Sequence, residues 1–140
     1  MIEIITSAFS SLQLEATSYS PGVQAWMKVM ALSFISSLLF VYHFSGARWI
    51  LFAFVVNVLG LLLGRILFPE LSRTEIGTGV HLLFWPGVLL AVWLPKRRPL
   101  LFWQNRNNFE RLYMVWICWA SLLLAISVFL DARTFLTLIS

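Results

Sequence analysis

The chain has 140 residues, of which 60% are hydrophobic and 11% charged, with a formal net charge of +4. A soluble domain carries about 25% charged residues, so this composition excludes a water-soluble globule. The one short basic cluster is explained by membrane topology, so no nucleic-acid partner is expected. Four apolar stretches account for the excess: Val23–Phe44, Arg48–Phe68, Ile76–Leu94 and Leu112–Leu130. Each is close to the ~20 residues an α-helix needs to cross a hydrocarbon core. The expected fold is therefore all-α, an integral membrane bundle of four transmembrane helices over residues 23–130. An amphipathic N-terminal interfacial helix sits in an arm at 1–22, and an apolar C-terminal tail occupies 131–140.

Residues 2–14 place Ile2, Ile5, Phe9 and Leu12 at spacings of three and four, with Glu3, Thr6, Ser10 and Gln13 opposite. This pattern predicts a helix lying at the membrane interface or docking on a partner. The arm holds Glu3 and Glu15 but no Lys or Arg, so the basic region of a secretory leader is missing. Tyr19-Ser20-Pro21-Gly22 then breaks the chain.

In the first crossing, Ser33 and Ser37 share a face four residues apart, a spacing that permits close helix approach. Lys28 lies about one turn inside its outer end and is expected to snorkel. The second crossing has the clearest pattern. Ala53, Asn57, Gly60 and Gly64 follow at +4, +3 and +4, a seam of small residues with one amide. It predicts a helix contact with Asn57 hydrogen-bonded across it. Arg65 follows, with Glu70 and Glu75 as expected partners. The third crossing contains Trp85-Pro86-Gly87, where proline removes one helical hydrogen bond and predicts a kink.

The segment Pro95–Arg111 mixes Lys96, Arg97, Arg98 and Arg106 with Leu100-Leu101-Phe102-Trp103. Lys96, Arg97, Arg98, Trp103 and Arg106 are expected to meet anionic lipid headgroups. The fourth crossing carries no charge, and Ser121 and Ala125 form a further small pair. Asp131 and Arg133 are expected to end it, with the tail folding back on the bundle.

The side of the 45–48 turn and the 95–111 loop carries six Lys and Arg, against four on the side of the termini. The excess of basic residues predicts a cytoplasmic 95–111 loop and external termini, in a bacterial inner membrane.

The chemistry-bearing inventory is thin. His43 and His81 fall at opposite ends, so a bis-histidine haem is not expected, and no Cys, His, Asp and Glu cluster suits a metal. No cofactor is expected. The lone Cys118 lies within an apolar stretch, where a buried structural thiol is the expected role. All six acidic residues are placed outside the bilayer, which argues against proton-coupled exchange. The resulting expectation is a non-enzymatic accessory or scaffold subunit of a larger membrane complex, partnered by lipids and by other subunits or copies of itself. The alternative is a small oligomeric transporter or channel with a polar pathway through Asn57, Arg65 and His81. A weaker alternative is a membrane enzyme using His81 with Glu70 or Glu75.

Overall fold

The computed structural model describes residues 2–94 and 107–139. The described chain is helical: α1 (Ile2–Ser18), α2 (Pro21–Ile35) extended by a 3-10 turn at Ser36–Leu39, α3 (Ser45–Leu67), α4 (Arg73–Trp93) and α5 (Asn108–Ile139). The last four are long and apolar enough to cross a membrane, so the chain is an integral membrane bundle of four crossings. The basic loop residues Lys96, Arg97, Arg98, Trp103 and Arg106 lie outside the described residues.

α4 packs against both α3 and α5, α2 lies against α3 and α5, and α1 docks chiefly on α3. The core runs through Phe34, Ile50, Ala53, Trp85, Val88, Met114, Ile117, Leu123 and Leu124. At Gly60 and Gly64, α3 meets α4 with no room for a side chain. A Cβ at Gly60 would lie 2.6 Å from Val80 Cγ2, and one at Gly64 would overlap the side chain of Ile76.

Tryptophan–serine bonds join the other helices. Trp116 Nε1 donates to Ser33 O (3.1 Å) and Ser36 Oγ (2.7 Å), and Trp119 Nε1 donates to Ser33 Oγ (3.0 Å). Trp93 Nε1 donates to Ser121 Oγ (3.0 Å). Ser33 thus serves as an acceptor for α5, while Ser37 is fully buried. At the same end, Phe40, Phe44, Phe109 and Tyr113 form an aromatic cluster in which Phe44 and Tyr113 stack at 3.9 Å.

Several boundaries differ from the sequence reading. The first crossing gives way to a 3-10 turn at Ser36, whose Oγ donates to Ser33 O (2.7 Å) and competes with the backbone ladder. α4 runs unbroken through Pro86. α5 does not stop at Asp131 and its end does not fold back: the helix continues to Ile139. At ~1.5 Å per residue its 32 residues span ~48 Å, well beyond a ~30 Å hydrocarbon core. Ala125 is exposed, because α5 buries the register of Ile117, Ala120, Ser121, Leu124 and Ser127, which leaves position 125 on the outer face.

α1 is held by charge. Glu15 pairs with Arg65 and accepts from the backbone N–H of Arg73 (2.7 Å), at the start of α4. Arg73 Nη1 donates to Leu12 O (2.7 Å), and Arg65 Nη1 to Pro69 O (3.1 Å). Arg65 therefore does not pair with Glu70 or Glu75. Glu70 is exposed, and Glu75 closes a capping box with Ser72 at the start of α4. Of the expected stripe on α1, Leu12 is buried beside Ala8, whereas Ile2 and Phe9 stay more than half exposed.

Candidate functional site: a polar cluster inside the bundle

Asn57 is the thirteenth of 23 residues in α3, the middle of that crossing. Its Oδ1 lies 3.0 Å from His81 Nε2 on α4. The other ring nitrogen of His81, Nδ1, lies 2.7 Å from Asp131 Oδ2 on α5. Asp131 Oδ1 accepts from Thr78 Oγ1 at 3.2 Å, one turn before His81 on α4. One imidazole thus ties three crossings together, and it stacks on Trp85 with ring centroids 3.6 Å apart.

These partners bring Asp131 level with the centre of α3. Asp131 therefore lies inside a helix long and apolar enough to cross a membrane, not at the end of that helix where the sequence reading set it. The register decides it: Trp93 meets Ser121 and His81 meets Asp131, as antiparallel helices require, so the length of α4 between them carries Asp131 inward. The apolar run of α5 alone holds no such information.

Asn57 and His81 are brought together as parts of one site, and Arg65 is not. It lies eight residues beyond Asn57, ~12 Å along the helix, where it is engaged by Glu15. The pairing of His81 with Glu70 or Glu75 does not occur. Both of its ring nitrogens are taken by Asp131 and Asn57, and the Glu75 carboxylate is bound to Ser72.

The cluster has two hydrogen-bonded forms. With Asn57 Oδ1 facing Nε2 and Asp131 Oδ2 facing Nδ1, both ring nitrogens donate, which is the imidazolium cation. Turning the Asn57 amide over presents Nδ2 as a donor to a neutral ring, while Nδ1–H stays on Asp131. Either orientation of the amide thus keeps a hydrogen bond at Nε2. The side chains of His81 and Asp131 keep 18% and 20% of their surface exposed, so the pair is sheltered but not sealed. Toward the Tyr113 end the bundle is filled by Phe34, Ile50, Trp85, Val88, Ile117 and Leu124, each at most 2% exposed. Among the described residues the buried indole N–H of Trp85 has no hydrogen-bond partner.

Among the described residues no group of His, Cys, Asp and Glu could hold a metal ion. Neither a protein-family model, a curated protein nor a solved structure matches the chain.

Proposed function

We propose that the chain is a small integral membrane transporter that moves protons, or a solute coupled to them, with Asn57, His81 and Asp131 as the proton-carrying site. The observation that supports this reading is the single imidazole bonded at once to a carboxylate and an invertible amide at mid-crossing. Magnitudes favour a working site over a structural staple. Interhelical hydrogen bonds in membranes average ~0.6 kcal/mol, so three contribute ~2 kcal/mol. A carboxylate within a membrane helix costs up to about 2.5–3.5 kcal/mol on insertion scales, the full value applying at the centre. Neutral amides would tie the same helices at lower cost, so the ionisable pair calls for a role beyond packing. The packed core beyond His81 means that passage requires either its movement or a second copy, in keeping with an oligomeric carrier. We place the protein in a bacterial inner membrane, with the 95–111 loop cytoplasmic and both termini external.

The second reading is an accessory subunit. It is favoured by the exposed apolar residues Ile2 and Phe9 on α1 and Phe135 and Leu136 on α5, which offer contact surface near both chain ends. One experiment separates the two. The purified protein is reconstituted in liposomes containing a pH-sensitive dye, and a pH step is applied. The transporter reading expects dye response above protein-free liposomes, lost in His81→Phe and Asp131→Asn. A silent purified protein, together with a co-purifying complex whose activity survives His81→Phe, would instead establish the accessory role.

A further inference from the structure

At the start of α3, Ser45, Arg48, Trp49 and Phe52 line one open-sided cavity of about 330 Å³. All four lie on a single face of the helix. Arg48 is held in place from behind: Nε donates to Val41 O (2.9 Å) and Nη2 to Tyr42 O (3.3 Å), in the loop leading to α3. A guanidinium has five N–H donors, so three remain, and the side chain is exposed. The Ser45 hydroxyl and the Trp49 indole N–H have no partner within the described chain. None of the lining residues is acidic. The cavity thus presents a guanidinium, a hydroxyl and an indole N–H and no carboxylate, which is the complement of an oxyanion.

Its apolar side continues the same way. Phe52, Val55, Leu59 and Leu63 recur at three- and four-residue steps below the cavity, and all are exposed. They form an apolar track along α3 from the Arg48 end toward Arg65. A free anion would leave that track unused, whereas a phospholipid fills both parts. We propose that this face of α3 binds one anionic phospholipid, its phosphate on Arg48, Ser45 and Trp49 and an acyl chain along Phe52, Val55 and Leu59. This site lies at the opposite end of the crossing from Arg65 and uses no residue of the proton cluster.

Native mass spectrometry of the detergent-solubilised full chain tests it. Phosphatidylglycerol, phosphatidylcholine and inorganic phosphate are added in separate titrations. One retained phosphatidylglycerol per chain is expected, with affinity falling about tenfold or more in Arg48→Gln, as expected for loss of a charge-assisted bond. Because Arg48 also ties the 41–42 loop, Trp49→Phe and Phe52→Ala, which keep that tie, must each weaken the adduct several-fold. The proposal is overturned if these two variants retain the lipid as well as the parent. It is also overturned if phosphatidylcholine binds equally, or if millimolar phosphate displaces the lipid, since the headgroup alone would then be what the cavity recognises.

Discussion

Substituting Gly60 by alanine adds one methyl group where α3 faces Val80. The new Cβ would stand 2.6 Å from Val80 Cγ2 and 3.2 Å from Cγ1. Ordinary contact begins near 3.4 Å, so the helices must separate by about 0.8 Å or the valine must rotate. Rotation is costly, because a helical valine has one strongly preferred χ1. Overpacking of this kind costs about 1–3 kcal/mol. The exchange of glycine for alanine in a helix returns ~1 kcal/mol, which leaves a net loss of up to about 2 kcal/mol. Gly79 and Gly87 on α4 supply controls, since a Cβ at either meets nothing within 4 Å. Unfolding by SDS in mixed micelles, followed by circular dichroism, should rank Gly60→Ala below the parent and Gly79→Ala and Gly87→Ala at or above it. The double variant Gly60→Ala, Val80→Ala should recover most of the loss. Equal stability of Gly60→Ala and Gly87→Ala, or no recovery in the double variant, would refute the close approach of α3 and α4.

Three further outcomes follow from named contacts. Glu15→Gln removes the charge that binds Arg65 and the Arg73 N–H; with Glu15 35% exposed, the expected loss is ~1 kcal/mol. Faster hydrogen exchange confined to residues 2–18 checks this, and unchanged exchange contradicts it. Trp116→Phe deletes the donor to Ser33 and Ser36, and should lower stability in the SDS assay by about 0.6–1.7 kcal/mol while the fold is kept. For orientation, cysteines at positions 18 and 106 in a Cys118→Ser background should react with an impermeant reagent from outside at 18 only; labelling from outside at 106 alone reverses the assignment.

Four crossings were legible because apolar length is a property of each segment alone. The Ala53–Gly64 spacing was legible too, since it lies within one helix. What escaped was set by pairs of segments. Asp131 read as a boundary charge because it follows an uncharged apolar run, yet its depth is fixed by the register between α4 and α5. Glu15 gave no sign of its partner, because Arg65 is 50 residues away and Glu70 and Glu75 are closer in sequence. Ser72, three residues before Glu75, carried the local signal for where that carboxylate goes, namely the capping box of α4. At Pro86 the helix assignment continues, with Trp85 and Val88 buried beside it.

The central claim is that His81 and Asp131 work as one pair, 2.7 Å apart across α4 and α5. Exchanging them tests it most directly: His81→Asp, Asp131→His and the double exchange are each reconstituted and assayed for dye response to a pH step. Each single variant should lose flux, having two carboxylates or two imidazoles face to face. The double exchange restores one of each, in reversed order, and should recover a measurable part of the parent rate. Undiminished flux in both single variants, or a folded double variant as inactive as either, would contradict the assignment of the pair as the proton-carrying unit.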